Sequence, residues 1–170
     1  MGQDIHMYLE YKEPSDKRYK GTQVGNPYMN RDYDLFGMFS ESGRRGYTEQ
    51  DWNKIGLDGP YPYKDIPNDL SEFIIREITI PKEETGSRKI FGEMMKYRKL
   101  EGFPDKDDLY LDPDFHSFSY MSLEEYKEII DKYKIYYNYS SYLVYDAFYE
   151  FAKVYQDAGY ETRVVFWFDN

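Results

Sequence analysis

Apolar and polar residues alternate along the start of the chain, between Asp4 and Lys12. An alternation of period two over this length predicts a half-buried strand. The apolar positions are Ile5, Met7 and Leu9, and the intervening positions are His6, Tyr8 and Glu10. Residues 162–168 are rich in β-branched and aromatic types and apolar on both faces, which predicts a second strand at the centre of a sheet. We expect the two strands to pair and to bring both ends of the chain together.

Apolar residues at helical spacing follow between these strands. They predict four helices, over about 68–77, 87–100, 122–133 and 141–158. Ser122 and Glu125 form a capping box at the start of the third helix, and Gly159 follows the fourth. A short return strand is predicted at 18–20. The stretches 21–30, 40–64 and 102–119 show no regular pattern, and long loops of this kind are often functional.

The length of 170 residues favours a single domain over 1–170 with one core. Strands at both ends and helices between them predict an α+β fold. We expect a small antiparallel sheet that pairs the N- and C-terminal strands, with three to four helices packed on one side. The chain is hydrophilic overall but contains 21 tyrosines, whose large rings can be buried, so it has the aromatic content of a folded protein.

The charge balance excludes several classes of function. With 22 Lys and Arg against 32 Asp and Glu, the net charge is −10, which argues against binding to duplex nucleic acid or to an anionic membrane.

The chain has no cysteine, so disulfides, thiolate zinc sites and cysteine nucleophiles are excluded. The sequence shows neither a secretory signal nor an apolar run of the roughly 20 residues that a membrane span needs. We therefore expect a cytoplasmic protein.

Both histidines of the chain follow an aspartate by two positions, in the pairs Asp4/His6 and Asp114/His116. In extended segments, each Asp and His of a pair project from the same face. The carboxylate can then fix the imidazole tautomer for acid–base catalysis. Alternatively, the four groups together can hold a divalent metal ion. A purely structural role, in which each histidine fills a polar gap, is equally open.

Hydroxyl, guanidinium and phenol groups supply further candidates for ligand binding. Ser117 and Ser119 follow His116, and because no Gly-x-Ser-x-Gly motif occurs, these hydroxyls suit a ligand phosphate or a helix start better than a serine hydrolase. Arg31, Arg44 and Arg45 are candidates for phosphate binding, because arginine binds phosphate in a bidentate manner; ion pairs between these arginines and the many acidic residues are an equally open alternative. Tyrosines in loops can stack on nucleobases. The candidate ligand-binding residues are Asp4, His6, Glu10, Arg31, Tyr33, Arg44, Arg45, His116, Ser117 and Ser119.

Five segments together resemble a family of small, largely uncharacterised phage and prophage proteins. The segments are Met1-Gly2-Gln3-Asp4-Ile5-His6, Arg31-Asp32-Tyr33-Asp34-Leu35-Phe36-Gly37, Pro67-Asn68-Asp69-Leu70-Ser71, His116-Ser117-Phe118-Ser119-Tyr120-Met121-Ser122-Leu123-Glu124-Glu125 and Phe166-Trp167-Phe168-Asp169-Asn170. The chain departs from the family at Gln3, where the family usually has cysteine. The resemblance implies a phage setting, and hence the host cytoplasm, but no particular activity.

Three hypotheses of function follow. The first is an accessory protein that counters host defence by binding and sequestering a small nucleotide-derived signal, such as a cyclic nucleotide, in a homo-oligomer whose subunit boundaries help to form the pocket. The second is a metal-dependent phosphodiesterase or other hydrolase, which requires the two Asp-x-His pairs to meet in space. The third is an acidic inhibitor that mimics nucleic acid and binds a basic protein.

Overall fold

A four-stranded antiparallel sheet forms the centre of the protein, in the strand order β2-β1-β8-β7. Its strands are β1 (Asp4–Lys12), β2 (Lys20–Gly21), β7 (Phe115–Met121) and β8 (Glu161–Asp169). The computed structural model describes residues 2–22, 31–43, 46–85, 89–90, 93–94, 97–106, 108–137 and 143–169. β1 and β8 pair along their whole length, from Asp4 opposite Asp169 to Lys12 opposite Glu161. The predicted pairing of the first and last strands is therefore confirmed.

Helices cover both faces of this sheet. On the first face, α1 (Tyr33–Phe39), α4 (Leu123–Tyr137) and α5 (Leu143–Asp157) share a core with Phe166 and Phe168 of β8, and α2 (Glu49–Ile55) adds Ile55 to it. On the second face, α3 (Glu72–Ile78) shares a core with Val165 and Trp167. The predicted α+β class is confirmed, but the expectation that the helices pack on one side is corrected: α3 packs on the second face, opposite the other helices.

Short strands replace one of the predicted helices. β3 (Thr79–Pro81) leads into a 3₁₀ turn (Lys82–Glu84) and pairs with β6 (Leu109–Leu111), while β4 (Lys89–Ile90) pairs with β5 (Glu93–Met94). The helix predicted over 87–100 is therefore wrong in the described residues of that stretch. Apolar residues four apart fit a helix and a hairpin alike, and Gly92 in the middle disfavours the helix.

Several elements lie where the sequence pattern predicted none: α1, α2 within the stretch 40–64, and β6 and the start of β7 within the stretch 102–119. α1 and α2 have seven residues each, so too few turns exist for a periodicity to stand out. Both helices do begin with capping residues. The Asp32 side chain accepts from the Leu35 N–H at the start of α1, and Thr48 and Asp51 form a capping box at the start of α2. β7 occupies the end of the stretch 102–119. None of the helices in the described residues is long and apolar enough to cross a membrane.

Glu10 belongs to a buried ionic cluster. Its carboxylate is 0% exposed and accepts hydrogen bonds from Arg163 Nε and from the Ser71 N–H, both at 2.7 Å. Arg163 also donates to Asp69 Oδ1 at 2.7 Å and lies 3.8 Å from the centre of the Tyr19 ring. Glu10 thus ties β1 and β8 to the start of α3. Because its carboxylate is fully buried, the predicted contact of Glu10 with a ligand is corrected: a molecule on the surface cannot reach it.

Candidate functional site

Most of the candidate side chains gather at one end of the sheet, where β1 and β7 begin and β8 ends. They lie on two different faces. His6 is opposite Trp167 in the strand register, and the two rings stack at 5.4 Å. His116 is opposite Phe168, and these rings stack at 6.0 Å. Because successive residues of a strand point to opposite faces, the two histidines lie on opposite sides of the sheet.

The two Asp-x-His pairs therefore do not form a joint site. Asp114 is exposed in the turn before β7, where its N–H donates to Asp112 Oδ1. Within the described residues, no group of three or more His, Asp or Glu side chains is arranged to hold a metal ion. The hypothesis that Asp4, His6, Asp114 and His116 bind a divalent metal together is corrected by this strand register.

On the second face, four charged or polar side chains form what we call the terminal clasp: Asp4, His6, Arg31 and Asp169. Arg31 donates from Nε and Nη2 to the two oxygens of Asp4, at 2.7 and 2.8 Å. Asp169 accepts from the Asp4 N–H at 3.0 Å and lies 2.9 Å from His6 Nε2. The hydrogen bonds from Arg31 hold the pKa of Asp4 below its ordinary value. The carboxylate that orients His6 is thus Asp169 and not Asp4.

The residues after Arg31 also serve the fold. Asp32 accepts from the buried hydroxyls of Tyr133, at 2.7 Å, and Tyr145, at 3.2 Å, as well as capping α1. Tyr33 Oη accepts from the Gln3 N–H at 3.4 Å. Arg31 and Tyr33, both predicted to bind a ligand, thus connect the first strand to the start of α1.

The first face carries a cleft of about 370 Å³ at the same end of the sheet. We call it the serine cleft. It is lined by Phe39, Ser40, Glu41, Ser42, Pro60, Tyr61, Pro62, Tyr63, Ser117 and Ser119. A volume of this size falls within the range of roughly 300–1,000 Å³ that is typical of small-molecule sites.

A line of hydroxyl groups runs along this cleft to His116. Ser40 Oγ lies 2.9 Å from Ser42 Oγ, which lies 2.6 Å from Ser117 Oγ, which lies 2.9 Å from His116 Nδ1. A β-bulge between His116 and Ser119 turns Ser117 out of the strand, and Ser117 has a φ of +54°. The bulge is what allows Ser117 to meet a residue from the turn after α1.

Contacts to the backbone fix that turn. A Cβ atom on Gly43 would lie 2.4 Å from the Phe36 carbonyl oxygen, so the turn packs directly against α1. The Gln3 side chain, 2% exposed, donates from Nε2 to the Ser42 carbonyl at 3.1 Å. Gln3 is thus a positioning residue for Ser42.

Tyr61 anchors the opposite wall of the cleft, the segment 60–64. Its hydroxyl contacts Lys64 Nζ, donates to Glu125 Oε2 at 2.8 Å and lies 3.2 Å from the Tyr120 carbonyl. Burial, followed by the bond to Glu125, raises the pKa of Tyr61 far above its usual value. Ser119 Oγ accepts from the Lys64 N–H at 3.2 Å and contacts the Pro62 carbonyl. Ser119, predicted to bind a ligand, thus supports this wall.

The cleft is polar but carries little charge. Among its described lining residues, Glu41 alone is ionisable to a carboxylate, and no lysine or arginine side chain lines it. Arg44 and Arg45, two predicted ligand residues, lie outside the described residues; the sequence places them directly after Gly43. The described walls therefore offer hydroxyl groups that both donate and accept, aromatic ring edges and one carboxylate.

Sequence reasoning found Ser117 and His116, and it noted Tyr61 only as one of the loop tyrosines that can stack on a nucleobase, but it missed Ser40 and Ser42. The one available signal was that 40–64 formed a long stretch without a pattern, which is where functional loops often lie. Comparison of the chain with protein-family models, with curated proteins and with solved structures found no match in any of the three.

Proposed function

We propose that this protein binds a small nucleotide-derived ligand in the serine cleft and holds it away from its receptor. The observation that carries the proposal is the line of hydroxyls from Ser40 to Ser117 along a cleft of ligand size. Hydroxyl groups both donate and accept, so they match the phosphate oxygens and the ribose hydroxyls of such a ligand.

The opposite wall of the serine cleft, the segment 60–64, suits the nucleobase of the ligand. Tyr63 is 60% exposed, and Pro60 and Pro62 present apolar surface beside it. An aromatic ring at the mouth of a cleft can stack on any nucleobase, because every base has a π-face. In the sequence, Arg44 and Arg45 follow Ser42 closely, and arginine is the residue type that binds phosphate in a bidentate manner.

Holding the ligand is favoured over cleaving it with a metal ion. The metal-dependent hypothesis needs both Asp-x-His pairs in one place, and the strand register separates them. The resemblance to phage proteins adds the setting: a captured host signal would fail to trigger a defence response. Binding of a basic protein by the acidic surface remains the outcome to consider if no nucleotide binds.

The test is to incubate the purified protein with a panel of cyclic mono- and dinucleotides, with and without Mg²⁺ or Mn²⁺. Free ligand is measured by chromatography before and after heat denaturation of the protein. We expect one member of the panel to disappear from solution and to return unchanged on heating. Depletion of no member contradicts the proposal, and so does conversion into a new species.

A further inference from the structure

We infer that Ser42 is a nucleophile activated through Ser117 by His116, and that the serine cleft can accept an acyl group from a small carboxylic ester. The inference rests on the proposed function only in using the same cleft. The juxtaposition that carries it is Ser42 Oγ, Ser117 Oγ and His116 Nδ1 in one hydrogen-bonded line, with steps of 2.6 and 2.9 Å.

The proton path follows from the donor and acceptor capacity of these groups. A neutral imidazole has one nitrogen that accepts, and a hydroxyl can accept one hydrogen bond while donating another. With Nδ1 of His116 as the acceptor, Ser117 donates to it and accepts from Ser42. The exposed hydroxyl of Ser42 is then the outer end of a relay whose inner end is a base.

The three groups are held in place before any ligand arrives. Ser117 sits in a β-bulge with a φ of +54°, a conformation that costs energy in a serine and is concentrated at functional sites. The His116 ring stacks on Phe168, and the Ser42 carbonyl is held by Gln3. A nucleophile and a base fixed by packing and hydrogen bonds are what covalent catalysis requires.

The reaction balances without any further cofactor. Ser42 Oγ attacks the ester carbonyl, an Oγ–C bond forms, and the hydroxyl proton passes through Ser117 to His116 Nδ1. The C–O bond of the ester then breaks, and the alcohol leaves with that proton. Water attacks the acyl-Ser42 by the same relay and releases the carboxylic acid.

The experiment uses the purified full chain and an alkyl fluorophosphonate, which forms an Oγ–P bond with an activated serine and releases fluoride. Peptide mass spectrometry locates the adduct. We expect one adduct, on Ser42, with the rate reduced about 100-fold in His116→Asn, because general-base assistance is worth at least that factor. Ser117→Gly, which tolerates the backbone conformation of residue 117, should slow labelling similarly by breaking the relay.

Matched variants separate chemistry from folding. His6→Asn changes the other histidine, on the opposite face of the sheet, and Ser15→Ala changes an exposed serine in the turn after β1. Both should label at the wild-type rate within about twofold, and circular dichroism should confirm that every variant is folded. No adduct, an adduct on a residue other than Ser42, or an unchanged rate in folded His116→Asn overturns the inference.

The same samples keep this inference distinct from the proposed function. Nucleotide binding without any adduct overturns the inference and leaves the proposed function standing. An adduct on Ser42 without nucleotide binding supports the inference and contradicts the proposed ligand class.

Discussion

A serine occupies position 117 although its backbone conformation suits glycine. A φ of +54° costs an ordinary residue roughly 1 kcal/mol, because its Cβ crowds the neighbouring carbonyl. The hydroxyl explains the choice, since it bridges His116 and Ser42 across 75 residues of sequence. At this position, two side-chain hydrogen bonds accompany a local cost in stability.

A comparison of two variants of Ser117 isolates the cost of the backbone strain from the cost of losing the hydroxyl. Ser117→Ala loses the hydroxyl and keeps the strained backbone, whereas Ser117→Gly loses the hydroxyl and relieves the strain. We expect Ser117→Gly to be about 0.5–1 kcal/mol more stable than Ser117→Ala in urea unfolding, because glycine adopts positive φ readily. Equal stability of the two variants would show that the backbone at residue 117 is not strained.

Removal of the buried Glu10 carboxylate is expected to cost much stability. Glu10→Ala leaves Arg163 buried with part of its charge uncompensated, and breaking a buried ion pair costs about 3–5 kcal/mol. Glu13→Ala, at an exposed position just beyond β1, is the control and should change the free energy of unfolding by less than about 0.5 kcal/mol. Similar losses in the two variants would contradict the buried cluster.

The ion pair between Asp4 and Arg31 predicts a pH-dependent stability. Since the pKa of Asp4 is lowered in the folded state, its ionised form stabilises the fold above the unfolded pKa. That stabilisation is lost as the pH falls through the lower, folded value. Asp4→Asn should cost about 0.5–1 kcal/mol near neutral pH, the size expected for an exposed pair, and the difference from wild type should shrink as the pH approaches about 3. A difference that stays constant in urea titrations across this pH range would contradict the pairing.

At the scale of the elements, signals that depend on near neighbours in sequence were reliable. The alternation over Asp4–Lys12 and the capping box at Ser122 both hold, the latter through hydrogen bonds of Ser122 N to Glu125 Oε2 and of Glu125 N to Ser122 Oγ. The helix predicted over 87–100 fails because the same spacing of apolar residues is compatible with a hairpin.

The turn after α1 is the element on which the serine cleft depends most directly. Gly43→Ala places a Cβ against the backbone of Phe36 and Gly37, which cannot move away as a flexible side chain can. We expect a loss of about 1–3 kcal/mol, as for overpacked core positions, together with displacement of Ser42. The measurement is chemical or thermal unfolding.

Gly46→Ala is the matched control for that variant. Within the described part of the chain, no atom lies within 4 Å of a Cβ atom added there, so the free energy of unfolding should stay within about 0.5 kcal/mol of the wild type. Equal effects of the two alanines would mean that the turn does not pack against α1 as described.

At the scale of the whole molecule, the sheet brings together groups that the sequence keeps apart. His116 and Ser117 were visible as a pair in the sequence, but Ser42 joins them only because a bulge in β7 and the turn after α1 meet across the first face. Likewise, the partner of His6 is Asp169, at the other end of the chain. No local pattern encodes such long-range contacts, so the sequence could supply candidate residues but not their grouping.

The register of β8 determines which residues lie together. Trp167 and Phe168 point to opposite faces of the sheet, and His6 and His116, which stack on them, therefore lie on opposite faces too. The fold therefore assigns one histidine to the terminal clasp and the other to the serine cleft, and the cleft becomes the place where a ligand is expected.

The most direct test of that claim is to measure binding of the cyclic nucleotide panel by equilibrium dialysis to the wild type, to Ser42→Trp and to His6→Asn. Ser42 is exposed, so a tryptophan there can fill the serine cleft without unfolding the protein. We expect affinity to fall at least about tenfold in Ser42→Trp and to stay within about twofold of the wild type in His6→Asn. Undiminished binding by folded Ser42→Trp, or no binding of any nucleotide by the wild type, would contradict the account.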